Sequence, residues 1–399
     1  MNVEVSRKLI VLSPEDEIMR KYNEKLLKFQ SYFSNVTCLN YNGRVVEQKD
    51  LEMVEESLRF VQEMQAFYLN NSSKVKDYAW VAEFYTTVSF EKRLEQVKKW
   101  KNKTDERYTE SQLLKDYKNV KNEGPQSLIP PKSELLPIEY HDPEVNDDYG
   151  IVYADFDTLP LFDKLHGIEE TDAIQGNLGN CYAVSALSAI AKADPEIIKK
   201  NIKPLENELF EVTLNVRELI DGKASDRIEK KVIVDTDFPV EVMDNGIKKP
   251  YYVHSDYSEI WPMIMEKAYA KVMGGYDNLA GSTGAEALSV FTGKSIRNFI
   301  VMNKNEFSET LEINNNFTEK SYSKLDFLKI LASTKIALFD SSRNAFSQNN
   351  FALQKNHSYS MNSFDGKTIK LRNPQGKNDF EFDVKEDKVW ESFSKIALM

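Results

Sequence analysis

The 399 residues carry 52 Lys and Arg against 63 Asp and Glu, a formal charge of −11, and 41% of them are hydrophobic. That mixture supplies a buried core and a charged surface, which excludes a disordered or collagen-like polymer, and the acidic balance excludes broad nucleic-acid binding, which needs clustered cations. Cys38, Cys181 and four histidines build no disulfide framework, and neither C-x-x-C nor H-E-x-x-H occurs. The start, Met1-Asn2-Val3-Glu4-Val5, lacks the basic and apolar parts of a signal peptide. No apolar run reaches the ~20 residues of a membrane span. The expectation is a soluble chain, cytoplasmic or exported as an effector without a cleavable signal.

In chain order, Ser13 ahead of Pro14 and Glu15 predicts a helix start. Amphipathic stretches follow at 49–68 and 89–101. Leu51, Val54, Leu58, Val61 and Met64 recur at helical steps and form one apolar stripe. Residues 1–130 therefore read as a helical N-terminal extension, whose stripe packs as core or offers a partner or regulatory contact. Gly124-Pro125-Gln126-Ser127 and then Pro130-Pro131 break the pattern and read as a linker. Residues 131–295 read as mostly helical, with strand-like runs at 210–216 and 231–234. From 296 to 399, short β-branched and aromatic runs alternate with turns. The fold class is α+β, one helical body and one β-rich body, with a cleft between them expected to carry function.

Cys181 follows the loop Gln175-Gly176-Asn177-Leu178-Gly179-Asn180 and opens an alanine-rich segment. With Asn180 as cap, Cys181 occupies the first turn of a helix, where free N–H groups and the helix dipole favour a thiolate. An inert buried cysteine is the rival reading. What favours a nucleophile is the C-terminal region, where His357 begins one strand-like run and Asn373 ends another, with Phe364-Asp365-Gly366 between them. A three-residue loop pairing Ser363 with Lys367 sets His357 opposite Asn373 on one face. A two-residue Asp-Gly loop puts them on opposite faces. The amide then fixes the ring and leaves the second nitrogen for a thiol.

Three ordered blocks give a resemblance covering roughly 137–390. The 175–187 stretch around Cys181 resembles the nucleophile motif of calpains, papain-like cysteine proteases, with Tyr182 where that family usually has Trp and Asn180 where it has Asp. Residues 259–271, through Glu266-Lys267-Ala268-Tyr269-Ala270-Lys271, resemble the calpain helix and run on to Leu279-Ala280-Gly281-Ser282-Thr283. Asn356-His357-Ser358 and Arg372-Asn373-Pro374 resemble its histidine and asparagine motifs. The resemblance implies a papain-like two-lobed core and a thiol endopeptidase acting through an acyl-thioester. Cys181 is then the nucleophile, His357 the general base and acid, and Asn373 the orienter of the ring. Gln175, with the Cys181 N–H, is the oxyanion donor, worth about 3–4 kcal/mol in such sites. Gly281 lines the cleft for a peptide substrate, although a turn alone also explains it. The family's core binds calcium, and Asp172 with the Gly167 carbonyl matches one such site by spacing; no other cofactor is implied. Gln375 replaces a Trp that shields the His–Asn bond, so a wetter, looser pair is expected. Two rivals keep the fold: a silent binding module using the extension, and a thiol enzyme acting as isopeptidase or transamidase.

Overall fold

The computed structural model describes residues 46–71, most of 151–399, and scattered positions at 18, 21, 91–102 and 142–145. Helix α1 spans Gln48–Asn70. On the predicted stripe Val54, Val61 and Met64 are buried, while Leu51 and Leu58 are half-buried. Ser57 completes this face, its hydroxyl donating to Met53 O at 2.7 Å. The described positions from 91 to 102 are also helical. The helix start at 13–15 and the linker at 124–131 lie outside the described residues.

The helix-rich part contains α2 (Cys181–Ala193), α3 (Glu196–Asn201), α4 (Trp261–Met273) and α5 (Gly284–Thr292). Helix α4 begins with Pro262 in its first turn and stops at Gly274, whose φ of 82° suits a residue without a side chain. Thr283 caps α5, accepting Glu286 N at 3.3 Å. Two antiparallel three-stranded sheets flank these helices. One joins β2 (Ile202–Pro204), β3 (Phe210–Val216) and β4 (Ile228–Val234) in that order. The other places β5 (Asp237–Val242) between β1 (Ile151–Asp155) and β6 (Lys248–Pro250). Strand β3 alternates buried and half-buried residues along its length, the period-2 signature expected of 210–216. Beneath them Lys267 is buried, and its charge is met by Asp142, Asp235 and the Asp237 carbonyl.

The β-rich part is built on an eight-stranded antiparallel sheet. Its members are β7 (Arg297–Asn303), β8 (Glu306–Ile313), β9 (Asn316–Ser323), β10 (Ala337–Ser341), β11 (Ser358–Phe364), β12 (Thr368–Arg372), β13 (Phe380–Asp383) and β14 (Phe393–Leu398). Their spatial order is β9-β8-β7-β14-β10-β11-β12-β13. The sheet serves two cores. Along β10, Leu338 packs toward the helices, while Ala337 and Phe339 face a second cluster with Phe307, Phe327 and Trp390. Period-2 alternation therefore lets one strand wall both lobes of a papain-like core.

Helix α2 lies directly on this sheet, and its residue sizes explain why. Ala183, Ser185, Ala186, Ser188 and Ala189 are buried, and short side chains let the two backbones approach. Ser185 Oγ donates to Ser358 O at 2.9 Å. Arg372 at the end of β12 donates to Ser188 Oγ at 2.9 Å and to Ala173 O at 3.2 Å. Removing the ring that centres the second core should show its share of stability. Trp390 is fully buried, edge-on to Phe307 and Phe382, and its Nε1 donates to Val384 O. Trp390→Ala is expected to cost about 3–5 kcal/mol, read as a lowered urea midpoint; an unchanged midpoint would contradict this packing.

Candidate active site

Cys181 is the first residue of α2. Asn180 precedes it, but its side chain does not cap the helix. Asn180 Nδ2 instead donates to Glu266 Oε1 at 2.6 Å. Glu266 also accepts Val253 N, and burial pushes its carboxyl up to about 8. The expected lowering of the thiol is not found. Burial pushes Cys181 up to about 12, backbone hydrogen bonds from Ser358 and its own turn pull it down, and the Asp340 charge raises it. Enclosure by protein outweighs the dipole of the first turn. The sulfur-bearing residue is nonetheless only half-buried, so solvent still reaches Cys181.

His357 and Asn373 come together: His357 Nε2 donates to Asn373 Oδ1 at 2.9 Å, which leaves Nδ1 as the remaining ring nitrogen. Burial pushes the imidazole down, with the Asn373 bond acting in the other direction. Ser341, on β10, clamps the histidine backbone by donating N–H to His357 O and accepting His357 N at Oγ. Asn373 is held by its own N–H to Asp379 Oδ1 at 2.9 Å. Cys181 meets the residue after His357, since the Ser358 backbone bonds toward its sulfur. Among the described residues no hydrogen bond joins Cys181 to His357.

The hairpin reaches this geometry by a different route from the one expected. Phe364 pairs with Ile369 and Ser363 with Lys370, so the loop encloses residues 365–368 rather than three residues. Asp365 Oδ1 accepts Lys367 N and Thr368 N and builds the turn, with Gly366 at φ 90°. That register alone would put Asn373 on the wrong face. A bulge between Met361 and Ser363 shifts the pairing to Ser360 with Arg372 and restores the shared face. Asn373 lies opposite the neighbourhood of Tyr359, whose ring packs edge-on to His357 at 5.0 Å. The expected exposure of the pair is also overturned: Asn373 is 0% and His357 8% exposed. Gln375, in place of a Trp, donates its backbone N–H to Asn373 Oδ1, and its side-chain Oε1 accepts Gln354 Nε2 at 2.8 Å.

Gln175 is tied to the same place, its N–H donating to Pro374 O at 2.8 Å. Its side-chain Nε2 donates to Leu178 O at 2.6 Å, and Oε1 is buried without a partner. A Cβ on Gly176 would overlap the carbonyl oxygens of Tyr251 and Tyr252, so only glycine fits beside Gln175. Gly281 has φ 74°, and its N–H donates to Gly179 O at 3.0 Å, fastening a second loop beside Cys181.

Asp172 lies against a residue that sequence reading missed, Glu259, whose carboxyl is pushed up to about 8 by burial and by the Asp172 carboxylate facing it. Glu259 Oε2 accepts Asp163 N at 2.9 Å, and Oε1 is buried without a partner. Gly167 closes the same loop, its N–H donating to Asp163 O. Two opposed carboxylates with an unpartnered oxygen fit a hard cation such as calcium. The cluster Asp142, Asp235 and Asp237 does not, because Lys267 supplies its charge. Glu259 was hidden because it reads as a surface acid ahead of the helix at Trp261.

A protein-family model described as calpain family cysteine protease matches residues 155–396. Among curated relatives, calpain clp-4 of Caenorhabditis elegans is 38% identical over 131 residues, 32% of this chain and 17% of that protein. Human calpain-9 is 28% identical over 224 residues, 53% of this chain and 29% of that protein. The rat calpain-1 catalytic subunit is 29% identical over 192 residues, 45% and 26%. The chain thus spans less than a third of these relatives' length.

A thiol pushed up by burial has a chemical signature. Alkylation of Cys181 by iodoacetamide is expected to keep accelerating from about pH 7 to about pH 10, because the thiolate stays a minor species throughout. A plateau already reached near neutral pH would show a stabilised thiolate and contradict the burial argument.

Proposed function

The chain belongs to the calpain family of cysteine proteases, and from that premise we propose that it is a cysteine endopeptidase acting through Cys181, His357 and Asn373. The observation that carries this reading is the buried Nε2–Oδ1 bond of His357 and Asn373, 2.9 Å long, beside the helix that Cys181 opens. Residues 131–295 and 296–399 would act as the two lobes, and 1–130 as an accessory helical region that regulates access or recruits a partner. Substrates are proteins or peptides. Among the described residues no helix is long and apolar enough to cross a membrane.

In this reading His357 Nδ1 takes the proton from Cys181 Sγ as the sulfur attacks the scissile carbonyl carbon. Asn373 Oδ1 holds Nε2–H, fixing the tautomer and stabilising the imidazolium that forms. The carbonyl oxygen becomes an oxyanion facing the Cys181 N–H and the Gln175 amide, which must first leave Leu178 O. Collapse breaks the C–N bond, and the imidazolium protonates the departing amine, leaving a thioester. Water, deprotonated by His357, then attacks the thioester carbon and releases the acid and the thiol. Because no hydrogen bond joins Cys181 to His357 among the described residues, substrate or a regulatory event has to bring Nδ1 to sulfur.

Calcium would be held by Asp172, Glu259 and the Gly167 carbonyl. It would neutralise two carboxylates and tether the 163–172 loop, which leads within three residues to Gln175. The isopeptidase or transamidase alternative changes the bond cut or the acceptor. Product mass identifies transfer, since hydrolysis adds water and transfer adds the amine, and a side-chain-linked peptide substrate identifies isopeptide cleavage.

Cys181→Ala is expected to abolish peptide cleavage, His357→Ala to lower kcat/KM by about 100- to 10,000-fold, and Asn373→Ala to leave partial activity. Turnover persisting in Cys181→Ala would sink the proposal. A calcium titration of cleavage, with Cys181→Ala as blank, is expected to rise and saturate, and Asp172→Ala to move its midpoint upward. A flat titration with active enzyme would remove the cation site from the scheme.

A further inference from the structure

Strand β10 carries, one residue before its end, an acid that its setting penalises. The pleat that sends Leu338 toward the helices sends Asp340 the same way, to the junction of the two lobes. Register sets Asp340 between Ser358 of β11 and Lys395 of β14. Gly284 N, in the first turn of α5, donates to Asp340 Oδ2 at 3.4 Å. The Asp340 charge reaches Cys181, and the Ser358 backbone touches the same sulfur.

Three polar atoms at this junction are buried and have no hydrogen-bond partner: Asp340 Oδ1, Ser358 Oγ and Ser282 Oγ. Ser358 is 2% exposed. Its hydroxyl faces the Asp340 carboxylate and draws that carboxyl down against the upward push of burial, but the contact falls short of a well-formed hydrogen bond at Asp340 Oδ1 and Ser358 Oγ. Ser282 lies on the loop between two residues that reach this junction. Gly281 bonds to Gly179, two residues before Cys181, and Gly284 meets Asp340. Lys395 is a counter-charge at a distance: burial pushes its amine down, Asp340 draws it up, and no ion pair joins them.

Protein interiors seldom leave such groups unpaired. We propose that Asp340, Ser358 and Ser282 line a polar subsite beside Cys181 that takes a cationic substrate side chain, lysine or arginine, close to the scissile bond. Asp340 is its specificity-determining residue. The proposal rests on the peptide-hydrolase reading of Cys181. An ammonium or guanidinium brings several donors and no acceptor, so it satisfies a carboxylate and two hydroxyl oxygens together. An aliphatic side chain would leave all three orphaned, and an acidic one would meet like charge.

Two measurements on the full chain separate this subsite from catalysis. In the first, kcat/KM is compared for fluorogenic peptides that differ only in arginine or norleucine at each position flanking the scissile bond. The wild-type protein is expected to favour arginine at one position by about 10-fold or more, and Asp340→Asn and Asp340→Ser to bring that ratio near one. In the second, the same peptides bind to Cys181→Ala protein, with and without Asp340→Asn, read by fluorescence anisotropy. An arginine preference in binding that Asp340→Asn removes supports the subsite even where no peptide is cut; the hydrolase reading would then be the one that fails. Equal handling of the two peptides, a preference surviving both Asp340 substitutions, or absence of both cleavage and binding overturns the subsite.

Discussion

The site depends on one close contact, in which a serine hydroxyl on α2 reaches a main-chain carbonyl on β11. The helix that presents the sulfur and the strand that follows the imidazole belong to different packing units, and nothing in either alone fixes their separation. Small residues along α2 remove the steric spacing that leucines would impose, and Ser185 converts proximity into a bond with a defined length. Arg372 repeats the device one strand further on, joining the residue before Asn373 to α2 and to the loop after Asp172. Buried hydrogen bonds of this kind are each modest in net stability, about 1 kcal/mol, but costly to break on one side. That asymmetry specifies geometry more than it adds strength.

Burial explains the electrostatics of the resting site with a single cause acting in opposite senses. Loss of water disfavours the charged form of every group, so the acid Cys181 moves up and the base His357 moves down. The two shifts add, and together they oppose a thiolate–imidazolium couple. Asn373 works against this on the histidine side, and the first-turn amides work against it on the sulfur side. Neither compensates fully. The reactive groups are therefore brought together in an environment that disfavours their charged forms.

Much of this was legible before any coordinates. The β3 run and the helix opening at Cys181 followed from periodicity and loop composition, whereas turn arithmetic gave the wrong register for His357 and Asn373, because Ser363 pairs with Lys370 and a bulge brings the two to one face. What stayed hidden depends on neighbours far away in the chain. Asn180 looks like a cap, yet a buried Glu266 outcompetes the helix N-terminus for its amide. Glu259 reads as a surface acid, and only folding sets it against Asp172. Asp340 and Ser341 sit inside an ordinary strand, and their importance comes from Ser358, Gly284 and His357 reaching them. Asn373 is buried without a covering Trp, and the Gln354–Gln375 bond next to it in the chain joins residues 21 positions apart.

The extra residue between Met361 and Ser363 has a bearing on how such a chain can change over time. A strand presents its side chains to alternate sides, so gaining or losing one residue in the His357–Asn373 ribbon reverses what everything beyond it points at. Lengthening the tip by two positions is harmless to that parity, whereas lengthening it by one needs a second irregularity to cancel it. The turn and the bulge are therefore a matched set. Insertions or deletions that survive in this ribbon should come in even steps or in compensating pairs.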